Sequence, residues 1–100
     1  MDKSELILTD NTEDKAFEFL VDGSKARIEY TLLGNKIIIT HTEVPKELEG
    51  KGIGSMIVKL ALENIEGRGL KLITLCPFTA AYIKRHPEWN RVLAENVNLK

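Results

Sequence analysis

A single cysteine in 100 residues leaves no intrachain disulfide, so the fold must be held by packing alone. The expected setting for such a chain is cytoplasmic. Long apolar runs are missing too: none approaches the roughly 20 residues a bilayer-spanning helix needs. The opening Met1-Asp2-Lys3-Ser4-Glu5 lacks the apolar segment of a secretion signal, and no membrane partner is expected. Charge of one sign is scarce. With 14 basic against 15 acidic residues the net charge is -1, so no basic field favours nucleic acid. His41, Cys76 and His86 show no local metal-ligand spacing, and no metal is expected. Internal repeats, linkers and low-complexity stretches are absent. What remains is a chain that is 43% hydrophobic, enough for one small core, and residues 1–100 read as one domain.

Alternation with period two fills the first half. Glu5 to Thr9 reads as a first strand and Asp10 to Asp14 as a polar turn. Phe17, Phe19 and Val21 alternate along a second strand, and Asp22-Gly23 is a hairpin turn signal. Ala26, Ile28, Tyr30 and Leu32 mark the third strand. Gly34-Asn35 has glycine first, as a type II′ turn prefers, and Lys36 to Val44 forms the fourth strand. A two-residue turn sets Leu32 opposite Ile37, Tyr30 opposite Ile39 and Ile28 opposite His41. That register predicts one face carrying Ile28, Tyr30, Leu32, Ile37, Ile39, His41 and Glu43.

Pro45 ends the ladder, and Val44 to Leu48 reads as a loop. From Gly52 to Ile65 the apolar positions Ile53, Met56, Ile57, Leu60, Ala61 and Ile65 follow helical spacing, with a stop near Gly67 or Gly69. Leu70 to Leu75 is a compact apolar strand, joined by the helical crossover and so parallel to the fourth. Pro77 fits the first position of a second helix, with Cys76 at its N-cap. Pro87 closes that helix, and Trp89, Val92 and Leu93 mark a short terminal helix. The order is that of an α+β domain, mostly antiparallel with one parallel βαβ unit.

The stretch Glu49-Gly50-Lys51-Gly52-Ile53-Gly54-Ser55 feeds the first helix. A glycine-rich turn at a helix N-terminus offers bare amides and a positive dipole end to an anion, and Lys51 adds charge. It can equally be a tight turn with no ligand. It is not a P-loop, because Lys51 is followed by Gly52. Nor is it a dinucleotide fingerprint, because its spacing is G-x-G-x-G.

Val44 to Ser55 resembles the pyrophosphate loop of the small, single-domain GNAT-like N-acetyltransferases, with Glu49 where Gln or Arg is usual. Cys76-Pro77-Phe78, Tyr82-Ile83 and Arg85-His86-Pro87-Glu88-Trp89 resemble a second signature of that group. The resemblance spans roughly Ala26 to Leu93. It implies a minimal GNAT fold that binds acetyl-CoA or coenzyme A and transfers an acetyl group to an amine acceptor, left unidentified as small molecule or protein. Gly50, Lys51, Gly52, Ile53, Gly54 and Ser55 would take the pyrophosphate. Glu43 and Val44 would offer a strand edge to the pantetheine arm, between the fourth and fifth strands. Cys76, Phe78, Tyr82 and Ile83 would surround the thiol end. The chain lacks room for the two helices that follow the first strand in full-length members and help to build the acceptor site. A non-catalytic CoA or acyl-CoA sensor or adaptor is therefore the alternative. Oligomeric state stays open.

Three residues carry candidate chemistry. Cys76, at a helix N-terminus, has a thiolate favoured by the dipole and could accept an acetyl group, donate a proton or only line the pocket; otherwise it is a small buried hydrophobe. His41 and Glu43 could take a proton from the amine. Otherwise His41 is a hydrogen-bonded core residue and Glu43 a solvated strand end.

Overall fold

A computed structural model describes residues 7–21, 23–48 and 52–94. One five-stranded sheet has the order β1-β2-β3-β4-β5. Strands β1 (Ile7–Asn11), β2 (Ala16–Val21), β3 (Ser24–Leu33) and β4 (Lys36–Glu43) form an antiparallel meander. Helix α1 (Ile53–Gly67) crosses to β5 (Lys71–Thr74), which lies parallel to β4. Helix α2 (Pro77–Arg85) follows, and a 3₁₀ turn, Pro87–Val92, stands where a terminal helix was expected. It returns the chain to the free edge of β5, where Leu93 bridges Leu72 and the Ala94 N–H donates to the Leu72 carbonyl at 2.9 Å. The α+β order expected from the sequence is the observed one. The first strand runs on to Asn11, while residues 5 and 6 and Asp22 of the hairpin turn lie outside the described residues.

The strands form because alternate side chains bury. Phe17, Phe19, Val21, Ala26, Ile28, Tyr30, Ile37, Ile39 and Leu72 lie in one cluster with Ile53, Ile57, Val58, Ala61, Leu62 and Ile65 of α1, and with Tyr82 and Ile83 of α2. Each large apolar side chain so removed from water contributes about 1.5–3 kcal/mol. The opposite sheet face carries Glu18, Lys25, Arg27 and Glu29 in ion pairs of 3.3 to 3.7 Å. Leu33 and Leu75 are largely exposed on that face, so the helices cover one side only. Helix α1 ends in paired bonds, from the Leu70 N–H to the Ile65 carbonyl and from the Gly69 N–H to the Glu66 carbonyl. Asp10 ties that end to the sheet: it accepts from the Tyr30 hydroxyl at 2.6 Å and from Arg68 Nη1 at 2.9 Å.

One expected register is overturned. Leu32 faces Ile37 and Tyr30 faces Ile39, but Glu29 faces His41 and Ile28 faces Thr42. Thr40 is the extra residue of a β-bulge, and its hydroxyl donates to the Glu29 carbonyl at 3.3 Å. The bulge reverses the parity of the strand end. His41 and Glu43 therefore leave the core face predicted for them and lie on the uncovered face, beside Glu29 and Arg27. Thr42 takes the covered face opposite Ile28.

Candidate functional site

The bulge lies where β4 loses its neighbour. Parallel pairing with β5 ends at Ile39–Thr74, and the Leu75 N–H donates to the Ile39 carbonyl at 2.9 Å. The chain then turns into α2 at Cys76-Pro77, so among the described residues β4 beyond Thr40 has no strand on that side. A cavity of about 650 Å³ opens there. Its walls are His41, Thr42, Glu43 and Val44 at the end of β4, Leu48, residues Gly52 to Ser55 at the start of α1, and Phe78 and Arg85 of α2. The connecting loop is tighter than expected: Lys46–Leu48 is a 3₁₀ turn, and it buries Leu48 beneath the cavity.

The α1 end of the cavity is electropositive by construction. Gly52 holds φ 74°, a left-handed conformation that glycine adopts without cost, and accepts the first helical bond from the Met56 N–H at 3.2 Å. Among the described residues no side chain caps this end, and no acidic residue stands in the first turn. The N–H groups of Ile53, Gly54 and Ser55 thus have no partner in the helix and stand at the cavity wall. Gly54 answers to a second demand, since a Cβ there would lie 2.5 Å from Phe78 Cζ. Gly50 and Lys51, expected to share this site, lie outside the described residues, as does Glu49.

Cys76 is the N-cap of α2 in extended conformation, with Pro77 at the first helical position. Thr74 fixes the turn: its hydroxyl accepts from the Cys76 N–H and donates to the Cys76 carbonyl, each at 3.2 Å. The side chain is 6% exposed and sits behind Thr42, to whose Oγ1 the thiol donates at 3.4 Å. Burial alone would push this thiol up. The Thr42 hydroxyl, the N–H groups of Thr79 and Phe78 and the Thr79 hydroxyl outweigh it, and the thiol lies below its ordinary value.

Of the other expected residues, His41, Glu43, Val44, Gly52, Ile53, Gly54, Ser55 and Phe78 line the cavity. Tyr82 and Ile83 do not: they turn into the core, where the Tyr82 ring stacks 4.3 Å from that of His86. Two residues escaped the sequence reading. Thr42 was assigned to the wrong face because the bulge is silent in a Thr-His-Thr run. Arg85 was seen only as part of a motif; its place one helix length from Cys76 was the available signal.

Comparison with known proteins bears on this arrangement. A family model for GCN5-related N-acetyltransferases matches residues 16–92. The solution structure of a GCN5-like protein from Staphylococcus aureus superposes with a TM-score of 0.69 at 28% identity, covering 91% of this chain and 90% of that one. Protein NATD1 of chicken and of mouse is 33% identical over 64 residues, 63% of this chain. Human NATD1 is similar to the same degree, 33% over 64 residues. The matched segment spans about 58% of the length of these curated relatives.

Proposed function

The chain belongs to the GCN5-related N-acetyltransferase family, and on that premise we propose that it binds acetyl-CoA and passes the acetyl group to an amine. The observation that carries this reading is the N-terminus of α1, acid-free in its first turn and uncapped among the described residues, opening on a cavity walled by the end of β4. Three amides without a partner in the helix suit a diphosphate, which needs donors and no competing carboxylate. Arg85 is the cation among the described residues of the wall, and supplies the charge that a phosphate-bearing ligand requires. Gly50 and Lys51 would add to the same loop. The free edge at Glu43 and Val44 suits an amide-bearing arm, which can bond to an unpaired strand edge.

Bound acetyl-CoA supplies a thioester, whose carbonyl carbon is the electrophile and whose CoA sulfur leaves as thiolate. His41 and Glu43 belong to the end of β4 that borders the cavity and face the uncovered side of the sheet; either would take the proton of an amine arriving from that side. Cys76 offers a second route. Its sulfur would bond to the acetyl carbon as the bond to CoA breaks, and the amine would then take the acetyl group from Cys76. The slight exposure of Cys76 favours the alternative of a CoA-binding module without chemistry, so the test must separate the two.

The experiment is a thermal shift with CoA, together with intact-mass spectrometry after incubation with acetyl-CoA, on wild type and Cys76→Ala. A hundredfold excess of ligand over Kd stabilises by roughly 2.7 kcal/mol. A shift in both proteins with one acetyl group on wild type alone supports the covalent route. A shift without an adduct leaves direct transfer through His41 or Glu43, or a sensor. No shift under these conditions would sink the CoA reading.

A further inference from the structure

Cys76 is surrounded by more hydroxyl groups than a buried thiol requires. Thr74 holds its backbone, Thr42 accepts a hydrogen bond from its S–H, and Thr79 lies in the first turn of α2. Thr79 is fully buried and its Oγ1 has no hydrogen-bond partner. An orphan hydroxyl at 0% exposure calls for a reason. It belongs to the residue three places after Cys76 in the first turn of α2, and with the N–H groups of Phe78 and Thr79 it is among the groups that favour the charged form of the thiol. A neutral thiol is a weak acceptor and leaves such donors idle. A thiolate would engage them all.

We propose that Thr42 and Thr79 are positioning residues that hold the Cys76 sulfur as a thiolate behind Thr42, which itself lines the cavity. The inference rests on the reading of Cys76 as a residue near the thioester. In the thiol form the S–H donates to Thr42 Oγ1. When the proton leaves to solvent, the Thr42 hydroxyl rotates about its C–O bond and donates to sulfur in return. The Thr79 hydroxyl gains the acceptor it lacks. The Thr40 bulge is what allows this, since a regular β4 would turn Thr42 to the uncovered face. Charged side chains play a lesser part. On β4, His41 and Glu43 turn to the opposite sheet face, on α2 Arg85 stands at the far end, and the first turn of α1 holds no acid. The strongest influences on the thiol after burial are these hydroxyl and amide donors.

The test is the pH titration of thiolate ultraviolet absorbance in the full chain, free of ligand, for wild type, Thr42→Val, Thr42→Ser and Thr79→Val. Cys76 is the sole cysteine, and the same titration of Cys76→Ala subtracts the phenolate absorbance of the two tyrosines. Circular dichroism and melting temperature monitor the fold. Each valine variant should raise the midpoint by about half a unit or more, a threefold loss of the thiolate-to-thiol ratio. Thr42→Ser should restore the wild-type midpoint, which a merely structural role would not produce. If Thr42→Val does not fold, Thr42→Ser and Thr79→Val still decide the matter. A folded Thr79→Val with an unmoved midpoint would overturn the proposal, as would an unmoved midpoint in a folded Thr42→Val. Because the titration uses no CoA, its failure is distinct from a failure of CoA binding, which the thermal shift reads separately.

Discussion

Replacing Gly54 by alanine sets two effects of known size against each other. The new Cβ would sit 2.5 Å from Phe78 Cζ and 3.3 Å from both Cε atoms. Comfortable carbon contacts lie at about 3.5–4.0 Å, so the ring must yield by about 1 Å. Overpacking of this kind costs about 1–3 kcal/mol. The opposing term is helix propensity, where alanine exceeds glycine by up to about 1 kcal/mol in a helix interior and by less in a first turn. The ring is 43% exposed and is a side chain, so it can swing, which puts the cost at the low end. Gly54→Ala should therefore unfold in urea with a stability lower by about 0–2 kcal/mol. Once the ring is removed the clash is gone and only the propensity gain remains, so in a Phe78→Ala background the same substitution should be neutral or stabilising. The double-mutant cycle should return an interaction of about 1–2 kcal/mol. Both residues line the cavity, so a displaced ring should also weaken CoA binding by about tenfold, or 1.4 kcal/mol, measured by calorimetry. Equal effects of Gly54→Ala in both backgrounds would refute the packing argument.

Deleting Thr40 removes the bulge while keeping the partners on either side, so the sheet should survive with a stability change of about 1 kcal/mol or less; CoA affinity should drop because β4 straightens, and unaltered affinity would show that the bulge does not shape the cavity. Arg85→Gln should weaken CoA and leave pantetheine, which lacks the phosphates, unchanged; equal losses for both would deny Arg85 a phosphate role. Burial, the bond to Asp10 and its negative charge push the Tyr30 phenol up to about 12 from an ordinary 10.0. The folded state then holds more protons than the unfolded one above pH 10, so this contribution to stability is complete below pH 10 and is lost as pH rises toward 12. Urea unfolding across that range should show the fall in wild type and a smaller one in Tyr30→Phe, and phenolate absorbance should place the titration itself.

Most of the fold was legible because burial imposed a period. Phe17, Phe19 and Val21, then Ile28 and Tyr30, then Ile37 and Ile39 alternate in and out of a one-sided core, and that pattern admits one set of strand faces. The helix bounds followed from Pro77 and from the stop expected near Gly67 or Gly69, each with a backbone reason. The pattern ran out at Thr40-His41-Thr42. Those residues carry no apolar parity, so a one-residue insertion left no trace and His41 was assigned to the face that Thr42 occupies. Tyr82 and Ile83 misled for a related reason: apolar residues at helical spacing serve a core as readily as a ligand, and here the core has them. Arg85 and Thr42 reach the cavity only through the crossing of α2 with the end of β4, a tertiary fact that no local spacing encodes.

The central claim is that the amides opening α1 receive the diphosphate of CoA. Amide chemical shifts of the isotope-labelled chain, titrated with CoA and separately with pantetheine, address it most directly. CoA should move the Ile53, Gly54 and Ser55 amides strongly, and pantetheine should leave them in place while moving Val44. Saturable CoA binding that leaves those three amides unmoved would contradict the account.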